Sequence, residues 1–60
     1  MSAAAVGVAY LKTHGAAAAG ELARAMGVAS NEVSAVMRRA RLAGVVILEG
    51  AGKGRRYRID

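Results

Sequence analysis

The stretch from Glu21 to Val46 constrains this chain more than any other part of it. Its spacing predicts a short helix, a tight turn, a longer helix and then a strand. Leu22, Ala23 and Met26 stand at i, i+1 and i+4, on one face of a helix. Gly27 follows them, where a turn needing positive φ favours glycine. Val28 supplies an apolar plug for that turn. Val33, Val36, Met37 and Ala40 then repeat at i, i+3, i+4 and i+7, which marks the core face of a second helix.

Two short amphipathic helices joined by a glycine-containing turn form a helix-turn-helix, whose second helix is the one presented to a DNA major groove. Glu21, Leu22, Ala23, Gly27, Val28, Val33, Val36, Gly44 and Val46 also carry a resemblance. The segment resembles the helix-turn-helix of the winged-helix transcription regulators, the broad MarR, ArsR and IclR-like class. With the flanking helix and hairpin, the resemblance spans nearly the whole chain. It implies a mainly α domain with a small β-hairpin (α+β), built from three helices and a C-terminal two-stranded wing. It also implies that helix 3 enters the major groove and that the wing meets the flanking backbone or minor groove. One position departs from the pattern. Regulators of this class carry Ser or Thr after Gly-Val as the cap of the recognition helix, and here Ala29 stands there. Either Ser30 caps a helix that starts one residue late, or Ala29 sits at the cap with no side-chain bond, at a cost of about 1 kcal/mol.

Sixty residues make one domain, 1–60, and a small one. Such a domain buries only about 60% of its unfolded surface. Phe, Trp, Pro and Cys are absent. The core must come from Ala, Val, Leu, Ile and Met, with Tyr10 and Tyr57 as the only rings. No disulfide or cysteine-bound metal can staple it, so close helix packing or oligomerisation must supply the rest.

The net charge is +5 and unevenly spread. Residues 1–30 carry Lys12 and Arg24 against Glu21. Residues 31–60 carry Arg38, Arg39, Arg41, Lys53, Arg55, Arg56 and Arg58 against Glu32, Glu49 and Asp60. A basic half on a small domain implies an anionic partner, nucleic acid before a membrane surface. No apolar run approaches the roughly 20 residues of a membrane span. The alanine-rich start lacks a basic leader and is interrupted by Gly7 and Lys12, so the chain is expected in the cytoplasm.

Ser2 to about His14 reads as helix 1, with Ser2 as cap and Gly15 as stop. Ala4, Gly7, Val8 and Leu11 share one face. Ala3, Val6, Tyr10 and Thr13 lie nearly opposite. A helix apolar on two sides is buried on two sides, and the chain offers no further element for the second. A homodimer through Ala3, Val6 and Tyr10 is therefore expected. Ala16–Ala18 reads as helix by propensity, but Gly15 and Gly20 weaken a continuous helix and a break is expected here. The resemblance allows a third, very short strand near Ala17. Helix 2 then covers about Ala19–Met26, and helix 3 about Ser30–Ala43 with Gly44 as stop. Val45–Glu49 and Arg55–Ile59 read as hairpin strands around a glycine-rich loop. Tyr57 and Ile59 point one way, and Arg56 and Arg58 the other.

Two groups of residues carry the candidate chemistry. Ser30, Asn31, Ser34, Ala35, Arg38 and Arg39 lie on helix 3 away from its apolar face. Asn pairs bidentately with adenine and Arg with guanine, and small Ser and Ala let the helix approach the base edges. The plainer reading is an ordinary solvated face. Lys53, Arg55 and Arg56, with Arg58 behind them, cluster on the hairpin, where cations suit phosphates or a minor groove. The plainer reading there is protection of an edge strand by charge. The loop Gly50–Gly54 lacks the spacing, the Ser or Thr and the following helix of a phosphate-binding loop. His14 has no partner at ligand spacing, and the scattered acids form no nucleophile–base pair, so neither a metal site, a cofactor, a small-molecule ligand nor an enzyme is expected. Leu42 falls off the core face of helix 3. It is either a lone exposed leucine or a contact with the wing or a partner.

The expected function is sequence-specific binding of double-stranded DNA as a small transcription regulator without a ligand domain. Two other readings compete: a winged-helix module that binds protein, and an architectural DNA binder with no preferred site.

Overall fold

Helix α1 covers Ala3–His14, and both its ends are set by local chemistry. Ser2 sits in extended conformation and its Oγ accepts from the Ala5 N–H at 3.2 Å. At the other end the Gly15 N–H donates to the Leu11 carbonyl at 2.7 Å. The computed structural model describes all of residues 1–60.

The strand β1, Ala16–Ala17, follows at once. The two alanines extend rather than continue the helix, because β1 pairs with the last strand of the chain: Ala16 lies opposite Arg58 and Ala17 opposite Tyr57. Ala17 is fully buried there. Helix α2 covers Ala19–Met26 and buries Leu22, Ala23 and Met26. Gly27 ends it in the left-handed region at φ 72°, and the N–H groups of Gly27 and Val28 both donate to the Ala23 carbonyl.

The third helical segment is not the single helix that the apolar spacing predicts. Ser30–Glu32 forms a 3-10 turn, α3 covers only Val33–Val36, and α4 covers Arg38–Leu42. Between them Met37 sits at φ −87°, ψ 0°. The Met37 N–H still reaches the Val33 carbonyl, and the Arg41 N–H reaches the Met37 carbonyl, so the chain keeps its direction through the break. The physical reason is weak local preference. Val33, Ser34 and Val36 are poor helix formers, and none of these segments has a side-chain cap bond. Their shape is dictated by tertiary packing, which buries Val33 and Met37 completely. Gly44, at φ 77°, closes α4: its N–H donates to Arg41, and the Val45 N–H donates to Ala40. That bond takes Val45 out of the strand expected to begin there.

Strands β2, Val46–Glu49, and β3, Arg56–Ile59, form the hairpin, and the sheet order is β1-β3-β2, antiparallel throughout. The domain is thus α+β with four helices and three strands: the expected third helix is split in two, and the very short strand allowed near Ala17 joins the two-stranded hairpin. Register places Val46 opposite Ile59 and Leu48 opposite Tyr57, on the inner face. Ile47, Glu49, Arg56 and Arg58 take the outer face by alternation.

The core joins α1, α2, α3 and the inner sheet face through Leu11, Ala17, Leu22, Ala23, Met26, Val33, Met37, Val46 and Tyr57. The second apolar stripe of α1 is not left open, as the sequence spacing implies. Ala3, Val6 and Tyr10 are half-buried and packed against the core. The Tyr10 hydroxyl donates to the Glu21 carboxylate on α2, and the Tyr10 ring stacks on His14 at 3.9 Å. The hydrogen bond to Glu21, then burial and the Glu21 charge, hold the phenol above its ordinary pKa, against an opposing pull from Arg24. No helix is long and apolar enough to cross a membrane.

Candidate nucleic-acid interface

The turn after α2 sets the start of the candidate interface. Ala29 occupies the cap position in extended conformation and offers no side-chain acceptor. The second of the two cap arrangements open at that position is therefore the one adopted. The Ala29 N–H is satisfied from the other direction, by Glu32 Oε1 at 2.8 Å. This is half of a capping box, with the reciprocal half missing. In the sequence only the three-residue spacing of Ala29 and Glu32 marks it, because the first position lacks Ser or Thr. Ala29→Ser completes the box and is expected to stabilise the domain by about 1 kcal/mol, or about 4–8 °C in Tm for a domain of this size. Paired thermal melts check it, and an unchanged Tm would mean that the missing cap costs nothing.

Ser30, Asn31, Ser34, Ala35, Arg38 and Arg39 are all exposed, while Val33 and Met37 face the core. The break at Met37 leaves this division of faces intact. Asn31, Ala35 and Arg38 are exposed in turn on the 3-10 turn, α3 and α4. Arg41 is set apart from its neighbours. It is half-buried, and its Nε is enclosed without a hydrogen-bond partner.

On the hairpin, Lys53 lies in the 3-10 turn Gly52–Gly54, and Arg55 and Arg56 follow it, all three exposed. The inner face of the hairpin is fixed by Leu48, Tyr57 and Ile59, so register holds Arg56 and Arg58 outward, while Lys53 and Arg55 precede the paired residues. Arg58 is the exception in the basic face expected from the alternation. Its Nε donates to Glu49 Oε2 at 3.0 Å, diagonally across the hairpin, and Nη1 donates to the Ile59 carbonyl. This is the one salt bridge in the protein, and it removes a cation from the free set. Arg38, Arg39, Lys53, Arg55 and Arg56 have no acidic partner. The candidate residues therefore form two groups, one on the segment from Ser30 to Arg39 and one on the hairpin, with β2 packed beside α4.

No group of three or more His, Cys, Asp or Glu side chains is placed to hold a metal. No family model and no curated protein matches this chain.

Proposed function

We propose that the chain is a winged helix-turn-helix domain that binds double-stranded DNA, sequence-specifically, as a small transcription regulator in the cytoplasm. In this reading α3 and α4 lie in the major groove, and the β2–β3 hairpin is the wing on the flanking backbone. The order helix, short strand, helix, helix, hairpin supports it, as does the pairing of β1 with β3. The observation that carries it is the state of the cations. Arg38, Arg39, Lys53, Arg55 and Arg56 are exposed and make no salt bridge, and the acid of the hairpin, Glu49, which stands opposite Arg56, is bonded to Arg58. Lys12 and Arg24 are unpaired as well but stand singly on α1 and α2, whereas these five cluster on α4 and the hairpin, which suits a polyanion better than a solvated face.

Salt titration on random DNA, followed by selection of bound sequences from a random pool, tests this. A DNA binder loses affinity linearly in log salt, with a slope set by the phosphates it neutralises. A salt-independent interaction would favour the protein-binding module, and a steep slope without a selected sequence the architectural binder. Within the selected site, Arg38→Ala is expected to cost about 1–3 kcal/mol of discrimination while weakening random DNA less. Equal losses on both would reduce Arg38 to a phosphate contact.

The proposal includes a homodimer through α1, which would set two recognition segments about one DNA turn apart. With Tyr10 bonded to Glu21, the surface left for it is the uncovered flank of Ala3 and Val6 together with exposed Ala5 and Ala9. Sedimentation equilibrium at micromolar concentration should show a dimer, free or on DNA. A monomer in both states would end this part of the proposal.

A further inference from the structure

Leu42 is 75% exposed, and among the large apolar side chains only Met1 is more so. It is the last residue of α4, and it does not stand apart from the candidate interface. Asn31, Ala35, Arg38 and Leu42 follow one another at i, i+4, i+7 and i+11, and all four are exposed. Arg38 and Leu42 lie one turn apart within α4, and Asn31 and Ala35 precede them on the exposed side of the 3-10 turn and α3. The core residues Val33, Met37 and half-buried Ala40 lie on the other side. Leu42 is one turn beyond Arg38 and three residues beyond Arg39, so it is flanked by two unpaired cations.

This setting matters for which partner fits. A second copy of the chain would bring like charges together around Leu42. A DNA groove would neutralise Arg38 and Arg39 and meet Leu42 with the one apolar group that base edges present there, the C5 methyl of thymine. The step from Arg38 to Leu42 is about 6 Å along the axis, comparable to two base-pair steps.

We propose that Leu42 is a specificity residue that reads a thymine methyl group, about two base pairs from the base met by Arg38. This rests on the DNA-binding reading above. Leu42 offers no hydrogen bond, so its discrimination is for the methyl alone, and it extends the recognition surface to the very end of α4. Leu42 closes no part of the core, so truncating it leaves the fold unchanged.

The test uses the sequence selected by the wild-type protein. Each thymine in turn is replaced by deoxyuridine, which removes only the methyl group. One thymine, or two adjacent ones, should lose about four-fold in affinity, the factor for one buried methyl group. Leu42→Ala should bind the thymine and deoxyuridine forms equally, keep its preference at the Arg38 base, and melt at the wild-type temperature. If no thymine is sensitive, or if sensitivity persists in Leu42→Ala, the proposal is overturned. Persistence in Leu42→Ala with loss in Ala35→Gly would assign the methyl contact to Ala35 instead. Salt-dependent binding with no selected sequence would overturn the role of Leu42 while leaving DNA binding intact. Absence of any DNA binding would remove both.

Discussion

Gly7→Val is expected to destabilise the domain by about 1–3 kcal/mol, the range for added bulk in a closed core. Gly7 lies in the middle of α1, where glycine costs about 1 kcal/mol relative to alanine. A glycine at such a position needs a packing reason, and the neighbours supply one. A Cβ at Gly7 would stand 2.9 Å from the Met26 sulfur and 3.0 Å from the Met37 sulfur. The two thioethers come from α2 and from the break between α3 and α4, so Gly7 is where three helical segments close on one another. Both methionines are buried, and Met37 completely. Methionine bends more readily than other core residues. For Gly7→Ala, a small displacement of the two sulfurs is therefore set against the gain in helix propensity, and the net change should be small. Valine adds two further methyl groups that no such displacement accommodates. Chemical denaturation of the three proteins checks the ordering. Gly7→Val in a Met26→Ala background should recover part of the loss, because the two sites share one space. A Gly7→Val protein as stable as the wild type would show that the α1 crossing is looser than the sulfur positions require.

What was legible in the sequence was what local rules decide. Ser2, Gly15, Gly27 and Gly44 mark helix ends because caps and left-handed turns have few chemical solutions. The bounds of α2 and the inward face of Tyr57 and Ile59 follow from periodicity alone. What is missed has a non-local cause. The break at Ala16–Ala18 and the short strand near Ala17 are as expected, and only the partners of that strand, Arg58 and Tyr57, lie beyond a local reading. The helix after Gly27 breaks because the preference of Val33, Ser34 and Val36 is weak and the burial of Met37 overrides it. The second stripe of α1 reads as uncovered because the sequence offers no further element for it, and nothing local couples Tyr10 to Glu21 on α2. The same applies to the candidate interface. Its helical members were legible as residues off the core face. That Arg58 is neutralised by Glu49 and that Arg41 turns inward depends on contacts no spacing rule supplies.

On the proposed DNA-binding reading, neutralising Lys53, Arg55 and Arg56 together, each to Gln, is expected to weaken binding to every DNA sequence by on the order of 100-fold at physiological salt. Each phosphate contact contributes about 0.9 to the slope of log affinity against log salt, so three contacts flatten it by about 2.7. Between 50 and 200 mM salt, the affinity lost by the wild type should then exceed that lost by the variant by about 40-fold. All three side chains are exposed and make no hydrogen bond within the protein, so the fold has no stake in their charge. The inner face of the hairpin, through Leu48 and Tyr57, is untouched. Arg58→Gln serves as the internal control. Its charge is already shared with Glu49, and an exposed pair of this kind contributes about 0–1 kcal/mol to stability. It should change the salt slope much less than any of the other three. The sequence preference should survive in the triple variant, because backbone contacts position a protein while base contacts specify its site. A triple variant with the wild-type slope would remove the hairpin from the DNA interface and leave its cations the task of guarding the sheet edge. A triple variant that lost sequence preference along with affinity would instead place the hairpin among the base-reading elements, in the minor groove beside the segment that carries Arg38.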